Sequence, residues 1–509
     1  MTDSKNNITS LLDDAAARHP ERPALIFGHK SISFADLLTQ VKQCANLLTS
    51  HGLNPGERVI LMLPMSPELY IAMLATIRCG AAAVFVDPWI PMRQIAAFSV
   101  FAKPSGFIGI PKCHLLRLMS PELARIKISA STGPVVLGIP ARFSLNASAK
   151  QSIDMNPVPV SPDDSALITF TSGSSGIPKG ANRTHGFLIA QYEALCRELD
   201  YRDDDIDMPM FPVFALRNLA AGITSVIPEM DFRKVAEIDP ATINRQIQKN
   251  DVTLVTASPP FIDQLAKLET PPALRKILTG GAPVTAKQLT QWHRAFPSAE
   301  IEIIYGSTEA EPVAHLSSRE RLKSEDEEGF CCGKPTSLLK TRIIKIRNGK
   351  VSPEELEALT LSQGETGELL VSGKHVGRDY FNNPEAVREN KIIMPDGTCW
   401  HRMGDTGYFD ADGRFFLTGR VHSTIVRNGQ LLYAQIVEAE VSKQIPEAKR
   451  VAALEQNGKL VIIIQGEPTK HGIDADEVIF TNKPLPLDPR HNSKIDYAKL
   501  RNLLEKEKL

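Results

Sequence analysis

The sequence contains the stretch Phe170-Thr171-Ser172-Gly173-Ser174-Ser175-Gly176-Ile177-Pro178-Lys179-Gly180, which directly follows an apolar, strand-like run at residues 166–170. Its three glycines, four hydroxyl side chains and single lysine are typical of a loop and not of a helix. Glycines let neighbouring backbone N–H groups point into one concavity, hydroxyls add donors, and the lysine adds a point charge. A flexible Gly/Ser linker is the alternative, but a linker does not usually follow a buried strand. We therefore predict a phosphate-binding loop, which differs from a Walker A loop because Pro178 precedes its lysine.

The bulk properties of the chain are those of a globular protein with more than one domain. Its 509 residues exceed what one hydrophobic core usually serves. The charged residues, 23% of the chain, nearly cancel to a net charge of −1. This balance does not indicate a nucleic-acid surface. We therefore expect two or more domains and no nucleic-acid partner.

The sequence predicts a cytoplasmic protein without a membrane segment. It opens with the polar residues Met1-Thr2-Asp3-Ser4-Lys5-Asn6-Asn7, and no apolar signal region follows. The longest apolar run, residues 69–86, is interrupted by Arg78 and Gly80, so it is too short to span a membrane. Seven cysteines are scattered without a C-x-x-C pair, which is typical of free thiols in a reducing compartment.

Strand-like runs alternate with helical stretches along the chain. We predict strands at 58–63, 106–110, 167–171, 253–257 and 301–305, and helices at 34–50, 67–79, 188–199 and 286–296. This alternation predicts an α/β architecture with largely parallel sheets. The segment 146–164 is rich in Pro, Ser and Asp, so we expect a surface connection there.

Five further motifs follow the loop in a fixed order. They are Gly280-Gly281-Ala282-Pro283, Tyr305-Gly306-Ser307-Thr308-Glu309, Gly364-Glu365-Thr366-Gly367-Glu368-Leu369, His401-Arg402-Met403-Gly404-Asp405 and Gly419-Arg420. Together with the loop they resemble the adenylate-forming superfamily of acyl-CoA synthetases, peptide-synthetase adenylation domains and luciferases. The resemblance extends from about residue 11 to the C-terminus. Several ordered motifs over a whole chain are a much more specific signal than one loop.

The resemblance implies a two-domain enzyme. A large N-terminal domain, residues 1–420, would hold stacked α/β sheets and a distorted barrel. A small, mobile α+β lid would span residues 421–509. The lid has its own pattern, with helices predicted at 436–443 and 497–505 and strands at 450–454 and 460–465.

The reaction that the resemblance implies is attack of a carboxylate on the α-phosphorus of ATP, giving an acyl adenylate and pyrophosphate. Two anions must meet, so the site has to neutralise charge and exclude water. Thr308 would bond the α-phosphate, and Glu309 would hold Mg²⁺, with Glu311 as an alternative ligand. Lys179 would hold the β- and γ-phosphates together with the loop residues Thr171, Ser172, Gly173, Ser174, Ser175 and Gly176.

The remaining implied roles concern the nucleoside and the incoming acid. The Tyr305 ring would lie on the adenine, next to Gly306 and to the turn Gly281, Ala282 and Pro283. Asp405 would accept hydrogen bonds from both ribose hydroxyls. Arg420 would touch the ribose or the phosphates. Lys494 would bridge the carboxylate and the α-phosphate, so the expected catalytic residues are Lys494, Thr308, Glu309 and Lys179.

Three residues depart from the family pattern. His401 replaces the aromatic residue that commonly opens the ribose motif, and we interpret it as a packed surface histidine. His422 stands where the hinge commonly has Asp or Lys, and Ser493 replaces the glycine before Lys494. An ordinary surface lysine stays the alternative reading of Lys494, because the C-terminal segment is rich in cations.

Two segments resemble the olefin-pathway β-lactone synthetases, which adenylate a 2-alkyl-3-hydroxy fatty acid and then close the lactone with loss of AMP. They are Phe211-Pro212-Val213-Phe214-Ala215-Leu216, where the acyl pocket begins, and Pro489-Arg490-His491-Asn492-Ser493-Lys494-Ile495. The segment 425–433 also departs from the Lys-x-Arg-Gly-x-Arg pattern that lines the pantetheine tunnel of CoA ligases. We therefore favour a fatty-type acid and a lactone. A thioester of CoA or of an acyl carrier protein stays open.

An alternative of another class is a nucleotide-binding regulator without catalytic activity. It is disfavoured because the implied catalytic and ligand residues are intact: Lys179, Thr308, Glu309, Asp405 and Lys494.

Overall fold

The computed structural model describes residues 3–86, 95, 101–133, 141–171, 179–324, 328–488 and 494–506. In chain order, its strands are β1 (Pro23–Phe27), β2 (Lys30–Ser33), β3 (Arg58–Met62), β4 (Ala82–Phe85), β5 (Gly106–Gly109), β6 (Ile128–Ser131), β7 (Phe143–Ser144), β8 (Ser165–Thr171), β9 (Lys179–Thr184), β10 (Ile206–Pro209), β11 (Thr224–Val226), β12 (Leu254–Ala257), β13 (Lys276–Gly280), β14 (Glu300–Ser307), β15 (Ala310–Ser317), β16 (Phe330–Pro335), β17 (Lys340–Ile344), β18 (Gly367–Ser372), β19 (Lys391–Ile393), β20 (Cys399–Phe409), β21 (Phe415–Arg420), β22 (Thr424–Arg427), β23 (Gln430–Tyr433), β24 (Arg450–Gln456), β25 (Lys459–Gln465) and β26 (Glu477–Thr481).

The described α-helices are Ser10–Arg18, Phe34–Ser50, Pro67–Arg78, Leu116–Met119, Pro121–Ala124, His185–Glu198, Pro212–Ala221, Pro240–Lys249, Pro259–Leu265, Ala286–Ala295, Ser318–Arg321, Leu356–Leu359, Pro384–Asn390, Ala434–Gln444 and Tyr497–Glu505. Short 3₁₀ turns lie at Ser4–Asn6, Pro111–Leu115, Leu145–Lys150, Val235–Glu237, Pro353–Glu355 and Val421–Ser423. None of the helices in the described ranges is long and apolar enough to cross a membrane.

The first sheet has seven strands in the order β7-β6-β5-β3-β4-β8-β9. All its pairs are parallel except β8 with β9. Strands β4, β5 and β6 are buried along their whole length, as expected for parallel strands covered on both faces. The predicted phosphate loop connects β8 to β9, and the β8–β9 ladder pairs Thr171 with Lys179.

The second sheet has fourteen strands and a change of pattern along its length. Strands β1 and β10 to β14 form a parallel part, and the helices that cover it bury their own side chains Trp292 and Phe261 against it. From β14 onwards the pairs are antiparallel. These later strands form the part of the chain that we expected as a distorted barrel. They are joined to the parallel part through β15 and β16, and β16 pairs with both β15 and β21.

The residues after Arg420 form sheets of their own. Strands β22 and β23 make a hairpin, and β24 to β26 make a three-stranded sheet. The helices Ala434–Gln444 and Tyr497–Glu505 pack on the latter, where Val441 and Leu500 are buried. The proposed domain boundary between residues 420 and 421 coincides with the end of the fourteen-stranded sheet.

The α/β class and the predicted elements are confirmed, with shifts at element ends. The helix predicted at 188–199 begins at His185, because the Thr184 side chain accepts a hydrogen bond from the Phe187 N–H and caps the helix. The lid helix predicted at 436–443 begins at Ala434. The surface connection predicted at 146–164 contains a 3₁₀ turn and buries Val160.

Candidate functional site

A continuous cavity of about 2610 Å³ brings the predicted site residues together. It lies between the sheet ends and the C-terminal lid, and its lining includes Lys179, Gly281, Ala282, Pro283, Tyr305, Gly306, Thr308, Glu309, Asp405, Arg420 and Lys494. Thr171 belongs to the same region through its backbone pairing with Lys179. The loop residues Ser172, Gly173, Ser174, Ser175 and Gly176 lie outside the described residues. The individual roles of these residues stay predictions.

Asp405 is the centre of a hydrogen-bonded triad in the wall of the cavity. The Tyr305 hydroxyl donates to Asp405 Oδ2 at 2.6 Å, and Arg420 Nη1 donates to Oδ1 at 2.6 Å. Burial and the neighbouring carboxylate raise the pKa of Tyr305 well above its ordinary value, so its hydroxyl stays a donor. Each carboxylate oxygen keeps a second lone pair. Asp405 is therefore held rigidly and can still accept hydrogen bonds from a vicinal diol.

The turn after β13 depends on glycine. A Cβ atom on Gly280 would lie 2.5 Å from the Ile304 backbone oxygen, and Gly281 has a φ of +83°. No larger residue fits the first position, and the second favours glycine because its backbone is left-handed. This explains why the motif places two glycines where β13 meets β14, beside Tyr305.

Thr308 and Glu309 form a two-residue turn between β14 and β15, whose ends Ser307 and Ala310 are paired. The Glu309 Oε1 atom accepts a hydrogen bond from the Tyr380 hydroxyl at 2.8 Å. Glu311 also lines the cavity, so both acidic candidates face the same space.

Glu309 stays ionised although it is enclosed. Burial acts to raise its pKa, but neighbouring positive charge and the Tyr380 hydrogen bond lower it below the ordinary value. His401 is neutral at physiological pH, because burial and Lys391 lower its own pKa to about 3. Lys391 is therefore the cation that favours the Glu309 carboxylate.

Lys179 begins β9 and points its ammonium toward the Glu309 side of the cavity. Its Nζ atom donates to Asn390 Oδ1 at 3.3 Å and lies 5.8 Å from the centroid of the Tyr380 ring. The side chain is half-buried. This position places a positive charge next to the end of the predicted phosphate loop.

Lys494 is exposed and lies on the cavity lining contributed by the lid. Its backbone is fixed by Asp488, because the Lys494 N–H donates to Asp488 Oδ1 at 2.9 Å and the Asp488 N–H donates to the Lys494 oxygen at 2.8 Å. The backbone of Lys494 is thus anchored at the cavity wall.

The structure corrects one prediction and adds residues that the sequence reasoning missed. His401 is not a surface residue: its exposed fraction is 3%, and its Nδ1 atom lies 3.2 Å from the Asn390 oxygen. Tyr380 and Lys391, which surround Glu309, were not predicted. The only sequence signal for Lys391 is that a lysine opens an apolar strand, Lys391–Ile393.

The chain is similar to known proteins over most of its length. The model of the AMP-binding enzyme family matches residues 12–381. An olefin β-lactone synthetase from Stenotrophomonas maltophilia is 32% identical, over 89% of this chain and 87% of its own. A second one, from Xanthomonas campestris pv. campestris, is also 32% identical, over 92% of this chain and 90% of its own.

The fold has solved counterparts as well. The crystal structure of ATP-bound MatB from Rhodopseudomonas palustris covers 100% of both chains with a TM-score of 0.82 at 20% identity, a likeness of fold. The resemblance to adenylate-forming enzymes is confirmed by the family match over most of the chain and by the two relatives. The chain therefore belongs to the AMP-binding enzyme family and is an adenylate-forming acid ligase.

Proposed function

We propose that this ligase uses ATP and Mg²⁺ to adenylate a 2-alkyl-3-hydroxy fatty acid and then closes the adenylate to a β-lactone. The observation that carries the proposal is the 32% identity with two olefin β-lactone synthetases over about nine-tenths of the chain. Each half of the reaction has support in the cavity.

The nucleotide half is supported by the charges around the cavity. Asp405 would bind the ribose hydroxyls, and Tyr305 would pack on the adenine. Lys179 and Lys494 would neutralise the phosphates and the incoming carboxylate, which is needed because attack on the α-phosphorus joins two anions. Pyrophosphate would leave on the side of Lys179.

The residues present fit a Mg²⁺ ion that arrives with the nucleotide. Within the described part of the chain, no three His, Cys, Asp or Glu side chains are grouped to hold a metal ion. Glu309 instead offers one ionised carboxylate beside the Thr308 hydroxyl. Mg²⁺ commonly keeps several waters and takes one or two carboxylates together with substrate phosphates. When bound, the ion would supply positive charge to the phosphates.

The acid half is supported by the apolar wall of the cavity. The segment predicted as the start of the acyl pocket opens the helix Pro212–Ala221, and Phe211, Phe214 and Leu216 line the cavity. Met65 and Met73 line the same cavity. An apolar wall of aromatic and flexible methionine side chains suits alkyl chains.

The hairpin β22–β23 supports an acceptor other than CoA. It contains one cation, Arg427, which makes ion pairs with Asp474 at 3.0 Å and with Asp476 at 3.3 Å. In CoA ligases this segment carries several cations and lines the pantetheine tunnel. Here the one guanidinium is neutralised by the lid's own acids.

An internal hydroxyl needs no second substrate, and its tethering lowers the entropic cost of attack. The 3-hydroxyl oxygen bonds to the carbonyl carbon and loses its proton, and AMP leaves.

The test is a turnover count without any thiol. The enzyme is given ATP, Mg²⁺ and a 2-alkyl-3-hydroxy acid, and AMP release per enzyme is measured with the product mass. We expect many turnovers and a product lighter than the acid by one water. The matched control is the same 2-alkyl acid without the hydroxyl, which should give a single turnover. A single turnover with the hydroxy acid, rescued by CoA or by a carrier protein, would show that the enzyme makes a thioester.

A further inference from the structure

Residues 376–381, named the strap here, bridge the two elements that flank the phosphate site. At one end Val376 pairs with Ala310, and the Gly377 N–H donates to the Glu309 oxygen at 2.7 Å. At the other end Tyr380 pairs with Ala181, and the Phe381 N–H donates to the Gly180 oxygen at 2.8 Å. The strap thus joins the turn that carries Thr308 and Glu309 to the strand that begins at Lys179.

The side chain of Tyr380 repeats this connection. Its hydroxyl donates to Glu309 Oε1 at 2.8 Å, and its ring lies 5.8 Å from Lys179 Nζ and 5.2 Å from Lys391 Nζ. Only 3% of Tyr380 is exposed. An aromatic face attracts cations, so the ring contacts both ammonium groups while the hydroxyl contacts the carboxylate.

Lys391 holds the strap through a hydrogen bond to its backbone. Its exposed fraction is 4%, and its Nζ atom donates to the Gly377 backbone oxygen. Burial lowers the pKa of the Lys391 ammonium to about 8, and the neighbouring acids Glu309 and Asp379 act against this fall. A buried cation thus lies next to Glu309 and to the strap.

We propose that the strap, through Tyr380 and Lys391, couples the position of the phosphate lysine Lys179 to that of the metal carboxylate Glu309. Tyr380 and Lys391 are then positioning residues for the triphosphate and its Mg²⁺. This inference rests on the proposed function, because it assigns the two sides of the strap to one nucleotide.

The test is a double-mutant cycle read by equilibrium ATP binding, measured by titration calorimetry with and without Mg²⁺. The variants are Tyr380→Phe, Glu309→Gln and the double variant. With Mg²⁺ present, we expect each single change to weaken ATP binding by roughly tenfold, the scale of one hydrogen bond to a charged group. The ATP affinity of the double variant should lie within about twofold of that of the weaker-binding single variant. Without Mg²⁺, Tyr380→Phe should bind ATP like the wild type.

A second cycle tests the other side of the strap. Tyr380→Leu removes the ring. In this background the loss of ATP affinity caused by Lys179→Ala should be smaller than in the wild-type background by a factor of at least about three. Lys391→Met should raise the Mg²⁺ concentration at which ATP binding is half-maximal. Tyr192→Phe, in the helix His185–Glu198, is the matched control and should leave both measurements unchanged.

The outcomes separate this inference from the proposed function. A wild-type protein that does not bind ATP would refute both. Normal ATP binding with multiplicative effects in both cycles would refute the coupling and leave the proposed function intact. If Tyr380→Leu does not fold, as judged by its melting temperature, the cycle with the conservative Tyr380→Phe decides alone.

Discussion

Replacing Asp405 by asparagine is expected to weaken ATP binding without slowing the chemical step. Asp405 Oδ2 accepts from Tyr305 and Oδ1 from Arg420, both at 2.6 Å, so each oxygen has one lone pair left for a ribose hydroxyl. The guanidinium of Arg420 is only a donor, so the asparagine oxygen must face it and the NH₂ must face Tyr305. One ribose hydroxyl then loses its acceptor, and the other loses the charge on its acceptor.

The cost can be estimated from these contacts. A hydrogen bond to a charged group contributes about 1.5–3 kcal/mol, so losing one and weakening another costs about 2–3 kcal/mol. Each 1.4 kcal/mol is a factor of ten, so the KM for ATP should rise about 30- to 150-fold. The ribose does not change charge during the reaction, so this is uniform binding and kcat should change by less than about threefold.

The assay is the initial rate of acid-dependent AMP formation against ATP concentration, repeated with 2′-deoxy-ATP and 3′-deoxy-ATP. The wild type should discriminate against the deoxynucleotides, and Asp405→Asn should discriminate less. If the variant kept the full discrimination, or lost kcat at an unchanged KM, the assignment of Asp405 to the ribose would be wrong.

Three further predictions concern other parts of the molecule. Lys494→Ala should lower the rate of acid-dependent pyrophosphate exchange by about 10²–10³-fold with little change in ATP affinity, because one charge is lost at a developing oxyanion. The control Lys499→Ala, on the neighbouring helix, should leave the exchange rate unchanged. Glu309→Gln should raise the Mg²⁺ concentration for half-maximal activity, because an amide oxygen is a poorer ligand for a hard dication; an unchanged titration would favour Glu311. Burial raises the pKa of Asp207 from 3.8 to about 7, so the folded protein keeps a proton that the unfolded chain has released. The contribution of Asp207 to the free energy of unfolding should therefore fall as the pH rises from about 4 to about 7. The difference in unfolding free energy between the wild type and Asp207→Asn, measured in urea titrations, should change over this range in the same direction, and a constant difference would contradict the account.

The residues whose chemistry is local in sequence could be predicted. The turn Thr308-Glu309 and the glycines at 280 and 281 are contiguous motifs. The glycines follow from local backbone geometry, because a Cβ atom on Gly280 would meet the Ile304 oxygen and Gly281 has a positive φ. Tyr305, Asp405 and Arg420 were each predicted as site residues, but their mutual hydrogen bonds were not. Asp405 and Arg420 meet because β20 pairs with β21, and Tyr305 reaches Asp405 from β14.

The surroundings of Glu309 could not be predicted, for a physical reason. Tyr380 lies 71 residues after Glu309 along the chain, and their contact depends on a strap that belongs to no regular strand. Burial of His401 depends on β20 being covered on both faces, which the sequence does not reveal because the motif is polar. Polar residues that fill a site look like surface residues until the fold encloses them.

The separation of the sheets has a consequence for engineering. Strand β21 ends at Arg420, the turn Val421–Ser423 follows, and in the described ranges no strand after it pairs with the fourteen-stranded sheet. A rotation of the lid would therefore break side-chain contacts, such as the 3.4 Å hydrogen bond from the Tyr433 hydroxyl to the Thr366 oxygen, and no ladder. The ladders that stabilise each part are therefore separate from the contacts that restrict rotation of the lid. Substitutions that stabilise the ladders within either part should raise the melting temperature without slowing rotation of the lid. A cross-link between residues 366 and 433 should raise the melting temperature and also slow that rotation.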